Sequence, residues 1–373
     1  MNKRLVSLDM AKGIGILSVL HVHCSLVEPV NVLITYLIGT IMLIFFFITG
    51  YNYKPGKRSI PQNIKQRAKQ ILIPFYLYSA VLIALFIVFN IAVGEMTPES
   101  ILNDAISFYC GKVPLSLTNV VGPYWFLPVM FLSSVLFFLI VDFTLKSLNR
   151  TVLVCLPLTA VSAVFSRYLM SNIPWRLPLI PVCTAVMLIG AYIGQKKLFE
   201  NPPFEGEKLT ISVLCTAVLA VTLTVVFGDS FHLVYGDFGN FGGWSVFTAV
   251  IICLVQIYML VFGCELMSVV KPLEKALGWF GRYSIQILLT HVFVGMLISR
   301  FTGLTSAITA TTLTRQGAQV EEVGALQVAQ SIVVTLITIG LLVCWLLLWN
   351  KIKEQFKAKK KRIKRQMAVW YEK

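Results

Sequence analysis

Charge is scarce in this chain. Only 13% of its 373 residues are Asp, Glu, Lys or Arg, against about 25% in a soluble globule, and that excludes an ordinary water-soluble domain. There is no CxxC, no HExxH and no cluster of metal-ligand spacing, so no metal centre is expected. Gly13-Ile14-Gly15 is too short for a phosphate-cradling loop. No internal repeat and no separate soluble domain stands out. The first apolar stretch is longer than a signal-peptide core, contains charges and lacks a small-residue cleavage site after it, so it reads as a retained helix. Eight cysteines form no disulfide framework. Cys155, Cys183, Cys215, Cys253 and Cys344 fall in apolar stretches, where cysteine acts as a small apolar residue. Cys24 and Cys110 fall on the same side of the expected topology, and two cysteines alone leave their pairing open.

What the chain has instead is apolar length. Residues of the aliphatic, aromatic and sulfur classes make up 57% of it, in runs long enough to cross a bilayer. Ten such segments are expected, at roughly 5–26, 28–50, 71–94, 124–148, 151–170, 177–197, 208–228, 244–267, 280–301 and 328–350. The fold class is therefore all-α, a polytopic membrane protein of about ten transmembrane helices. The reading is one membrane domain, 1–350, followed by a basic tail, 351–373. With the N-terminus inside, 26 Lys and Arg residues fall in inner segments and five in outer ones; Lys12, within the first span, completes the 32. That bias favours an N-in, C-in topology. The net charge of +15 is then a sorting signal and calls for no nucleic acid. The tail KIKEQFKAKKKRIKRQ fits anionic lipid headgroups and equally a solvated stop-transfer tail.

Ionisable groups inside a bilayer are costly and usually face a cavity or a partner. The first helix, LDMAKGIGILSVLHVHCSLV, carries Asp9, Lys12, His21 and His23. At about 100° and 1.5 Å per residue, His23 lies within about 20° of the face of Lys12 and roughly 16 Å along the axis. Asp9 neighbours Lys12 one turn back, and His21 points about 180° away. A stripe with a cation at the inner end and an imidazole at the outer end suits a path across the membrane, because an imidazole takes a proton from an alcohol near neutral pH. A snorkelling Asp9–Lys12 pair and a packed His23 account for the same residues without a function, and the helix alone leaves both open.

Three other features stand out. His291 sits midway along YSIQILLTHVF, with Ser284 and Thr290 on the same segment; a helix–helix hydrogen bond is the ordinary role for such a residue. The inner loop RSIPQNIKQRAKQILIPFY places Arg58, Lys65, Arg67 and Lys69 before a span whose Pro74 is expected to kink it. Those cations serve sorting, or dock a phosphorylated donor. In GPYWFL, Tyr124 and Trp125 open a span at the outer interface, where aromatic belts are routine and where a sugar ring can also stack.

Together these pieces resemble the acyltransferase-3 family of integral membrane acyltransferases, which includes O-acetylases of bacterial surface glycans. RLVSLDMAKGIGILSVLHVH is similar to the family's first helix, a basic residue followed after ten residues by histidine, here Lys12 and His23. IFFFITGYNY, KQRAKQILIPFY, PYWFLPVMF and ALGWFGRYSIQILLTHVFV resemble, in order, four later signatures. Two positions depart from the pattern: Gln70 stands where a second arginine is common after Arg67, and Lys12 where many relatives have arginine. The resemblance implies a bacterial cytoplasmic-membrane enzyme that takes an acetyl group from cytoplasmic acetyl-CoA to a hydroxyl of a surface or lipid-linked glycan. It implies His23 as general base or acyl carrier, with Asp9 and Lys12 lining the inner mouth. Arg58, Arg67 and Lys69 would meet the donor's phosphates, and Tyr124, Trp125, Ser284 and His291 would shape the acceptor cavity. A small-molecule transporter is the alternative that polar residues in a ten-span protein also suit, although paired broken helices and inverted symmetry are not evident.

Overall fold

A computed structural model describes residues 5–24, 41–93, 97–111, 122–169, 174–200, 206–227, 245–302, 332–351 and 354–355. Among these residues every regular element is helical. The order is α1 (Val6–Cys24), α2 (Ile41–Tyr51), α3 (Ile60–Val93), α4 (Pro98–Tyr109), α5 (Phe126–Thr144), α6 (Leu148–Leu169), α7 (Ile180–Gln195), α8 (Gly206–Phe227), α9 (Ser245–Met267), α10 (Lys271–Arg282) and α11 (Ser284–Thr302). A last helix, α12, covers Ile332–Lys351. Six helices are long and apolar enough to cross a membrane among the described residues: Ile60–Val88, Phe126–Thr144, Leu148–Phe165, Trp175–Gln195, Val250–Met267 and Ile332–Lys351. Met42–Tyr51, Lys208–Val218 and Ser284–Gly295 are shorter apolar helices. The first part of the expected 28–50 span, the side chain of Cys24, and almost all of the basic tail lie outside the described residues. Cys110 carries a free thiol; its pairing with Cys24 falls on a side chain outside the described residues.

Two helix pairs pack backbone against backbone. α1 crosses α10 at Gly13 and Gly281: a Cβ on Gly13 would lie 2.0 Å from the Leu277 carbonyl oxygen, and one on Gly281 would lie 1.8 Å from that of Asp9. α2 crosses α7 in the same way, where a Cβ on Gly50 would lie 1.8 Å from the Met187 carbonyl oxygen and one on Gly190 2.3 Å from that of Phe47. Without a hydrophobic drive between helices in lipid, close approach at small residues is what holds them. The first crossing matters for function, because it clamps the Asp9–Lys12 turn onto the end of α10.

Several boundaries differ from those expected. The basic stretch before the third span is not a loop. α3 begins at Ile60 and runs 34 residues through Pro74 without ending, about 51 Å at 1.5 Å per residue. A proline removes one backbone donor, and that loss is tolerated in a membrane helix whose neighbours resatisfy the freed carbonyl. Lys65, Arg67 and Lys69 therefore sit at fixed angles on a helix. The expected span at 280–301 begins later, because α10 ends at Arg282 and α11 starts at Ser284. Residues 97–111 fold back against the bundle: Thr97 caps α4 by accepting from the Ser100 N–H, Phe108 is fully buried on Phe75 and Trp175, and the Tyr109 and Ser79 hydroxyls lie 3.0 Å apart.

Glu265 accepts from Lys208 Nζ at 2.5 Å; the Lys208 side chain is 0% exposed. Ser212 Oγ and Tyr258 OH donate to the Lys208 carbonyl, tying α8 to α9. Breaking a buried pair strands a charge. Glu265→Ala should cost about 3 kcal/mol, read as a lower thermal midpoint in detergent, while Lys208→Met with Glu265→Leu should recover most of that loss.

Candidate active site

A cavity of about 570 Å³ opens among α1, α2, α3, α5, α10 and α11. Its cationic lining is Lys12, Lys54, Lys57, Arg58, Arg67 and Arg282, and no Asp or Glu is among the described lining residues. Amides supplement the cations: Asn52, Asn63, Gln66, Gln70 and Gln286. α3 contributes Asn63, Gln66, Arg67, Gln70 and Ile71, which is the i, i+3, i+4, i+7, i+8 spacing of one helix face. Among the described residues no carboxylate pairs with Lys54, Lys57, Arg58, Arg67 or Arg282. Such a chamber suits a polyanion, because the five cations other than Lys12, which Asp9 engages, can form charge-assisted bonds that no carboxylate of the described residues already takes.

The inner end of α1 forms one wall. Lys12 Nζ lies 2.9 Å from Asp9 Oδ1, with side-chain exposures of 18% and 12%. Lys12 lines the cavity beside Gly281, Arg282 and Ser284, where the glycine crossing puts it. At the mouth, Tyr53 lines the chamber and donates its hydroxyl to Asp142 Oδ1 at 3.1 Å. Burial and then the Asp142 bond and charge push the Tyr53 phenol up to about 12, so it stays protonated and remains a donor at physiological pH.

Further along the same two helices lies a pair of imidazoles. His23 of α1 and His291 of α11 have ring centroids 5.2 Å apart. From Lys12 to His23 is eleven residues, and from Ser284 to His291 seven, in the same chain direction. α1 and α11 thus run side by side from the cationic chamber toward the histidines, a rise of about 10–16 Å. His291 is 0% exposed. Its Nδ1 lies 3.0 Å from the carbonyl oxygens of Ile287 and Leu288, and its Nε2 has no hydrogen-bond partner among the described residues. The lining of the chamber includes neither histidine.

Of the residues singled out in the sequence, Lys12, Arg58, Arg67 and Ser284 line the chamber and Asp9 braces it, whereas His23 and His291 meet beyond it. Three fall elsewhere. Lys69 is exposed and lies about 200° around α3 from Arg67, off the lining face; Gln70, the departure from the family pattern, is on it. Tyr124 is 0% exposed and donates its hydroxyl to the Leu289 carbonyl, so it anchors α11 and cannot stack on a sugar. Trp125 is half-buried under the Arg176 guanidinium, 4.6 Å from its ring centroid. Lys54, Lys57 and Arg282 were read in the sequence only as sorting charges. No spacing rule brings Arg282 to the 54–67 segment, since only the α1–α10 crossing does so. Searches among curated proteins and solved structures returned no match. The family model described as an acyltransferase domain matches residues 5–349, nearly the whole chain. The protein belongs to the acyltransferase-3 family and is a multi-pass membrane acyltransferase.

Proposed function

We propose that the chain transfers an acetyl group from acetyl-CoA to a hydroxyl of a cell-surface or lipid-linked glycan. One observation carries this reading: a chamber whose described lining holds six cations and no acid stands at one end of α1 and α11, with the His23 and His291 imidazoles, the latter fully buried, further along the same helices. The chamber is the donor's entrance. Arg58, Arg67 and Lys12 meet its phosphates, and the acyl arm reaches along α1 and α11. The positive-inside bias supports a cytoplasmic entrance, within an N-in, C-in arrangement of ten spans in a bacterial cytoplasmic membrane.

His23 acts on the acceptor as general base. Its free ring nitrogen takes the hydroxyl proton as the acceptor oxygen attacks the thioester carbon. The tetrahedral intermediate then collapses with cleavage of the C–S bond, and the imidazolium returns the proton to the departing thiolate. With His23 as acyl carrier the same bonds change in two steps, the imidazole nitrogen holding the acetyl group between them. Either route requires a neutral imidazole beside the acyl path.

The donor site is tested with a conservative pair. Arg67→Gln removes one charge-assisted bond worth about 1.5–3 kcal/mol, so KM for acetyl-CoA should rise at least tenfold with kcat nearly unchanged. Lys69→Gln, on the opposite side of α3, should change KM less than twofold. The measurement is CoA release by membranes supplied with acetyl-CoA and glycan acceptor. Equal effects of the two variants would mean that the chamber does not hold the donor.

A further inference from the structure

Three features carry no assigned role: the Arg176–Trp125 stack, the Lys208–Glu265 pair, and the bare Nε2 of His291. The last is the most demanding physically. A buried polar atom without a partner is rare and calls for an explanation. Two carbonyl oxygens 3.0 Å from Nδ1 fix which nitrogen bears hydrogen: a lone pair there would face two other lone pairs, so Nδ1 is the donor. Nε2 is then an obligate acceptor in a neutral ring. It sits in a residue with no solvent exposure, and the ring that packs on it is His23.

We infer that His291 is a positioning residue that fixes the tautomer of His23. A centroid spacing of 5.2 Å is within reach of one N–H···N bond of about 2.9 Å, completed by rotation of the His23 ring. His23 then donates one N–H to His291 Nε2, and its other nitrogen is left bare toward the acceptor. The backbone of α11 thereby sets the reactive face of a residue on α1. The Tyr124 hydroxyl holds the next carbonyl, that of Leu289, and steadies the segment that presents His291. The proton stays on His23 throughout. The arrangement parallels a catalytic carboxylate that orients an imidazole, with a neutral acceptor in its place. The inference rests on the acyl-transfer reading for its effect on rate, but not for the hydrogen bond itself.

Two variants and two readouts test it. His291→Leu removes the acceptor and keeps the bulk, whereas the side-chain carbonyl of His291→Gln replaces Nε2. In ¹⁵N-histidine spectra of the full chain in nanodiscs, wild-type His291 should show a protonated Nδ1 and a bare Nε2. His23 should be a single tautomer in the wild type and in His291→Gln, and a mixture in His291→Leu. In transfer assays His291→Leu should lower kcat between about 10- and 100-fold, the usual cost of losing a partner that orients an imidazole, with KM for acetyl-CoA unchanged. His291→Gln should stay within fivefold of wild type. Equal rates for the two variants, a protonated His291 Nε2, or an identical His23 spectrum in all three proteins would overturn the inference. A wild type inert toward acetyl-CoA that still shows the tautomer dependence supports the pairing and refutes the acyl-transfer reading.

Discussion

Replacing His23 with alanine should reduce acetyl transfer by 10²- to 10⁴-fold, the range attributable to a general base, and to nothing measurable if His23 carries the acyl group. The protein should still fold. His23 lies near the end of α1, beyond the glycine crossing that fastens that helix, and its ring contact is with His291. Size-exclusion profile and thermal midpoint in detergent should therefore match wild type, while acetyl esters disappear from surface glycans by mass spectrometry. His21→Ala is the control. His21 lies about 200° around the helix from His23, and transfer should persist. Loss of transfer in His21→Ala with full activity in His23→Ala would mean that the reactive face of α1 has been misassigned.

Gly281→Val should produce the largest structural effect. Any Cβ at this position falls 1.8 Å from the Asp9 carbonyl oxygen and 2.8 Å from its carbon. Backbone cannot move aside as a flexible side chain can, so α1 and α10 must separate. Overpacking of this kind costs about 1–3 kcal/mol, occasionally more, and here two branches add to it. The same displacement carries Asp9 and Lys12 away from the chamber, so KM for acetyl-CoA should rise in whatever protein survives. Gly278→Ala is the matched control on the same helix, because a Cβ there meets nothing within 4 Å. Exchange of glycine for alanine in an open helical position is worth up to about 1 kcal/mol of added stability. The two substitutions should therefore move the thermal midpoint in opposite directions.

These two outcomes separate what the sequence makes legible from what it does not. Helices were legible because apolar runs of this length have few other uses. The relation of Lys12 to His23 was also legible, since both lie on one regular helix and their angle follows from their spacing. The ends of elements were harder. α10 (Lys271–Arg282) carries Lys271, Glu274 and Lys275 in its first turns, and on hydropathy alone such a segment reads as a loop. The start of α3 was hidden likewise by its cations, and with it the fact that Arg67 and Lys69 face opposite ways. Least legible were relations between helices. Nothing in the local pattern around His291 brings it to His23, and nothing near Gly13 indicates that Leu277 and Gly281 lie against it. The Trp-Phe-Leu segment is a clear example of a motif located correctly in sequence whose tyrosine turned out to serve packing: Tyr124 is wholly buried and bonded to α11.

The chamber and the imidazole pair are adjacent features, and the acyl arm must connect them. The direct measurement is an experimentally determined structure of the protein bound to a non-hydrolysable thioether analogue of acetyl-CoA. Phosphate density within hydrogen-bond distance of Arg58 and Arg67, with the acyl end between α1 and α11 against His23, is the predicted result. An analogue seated away from those arginines, or one whose acyl end stops short with side chains closed between it and His23, would contradict the account.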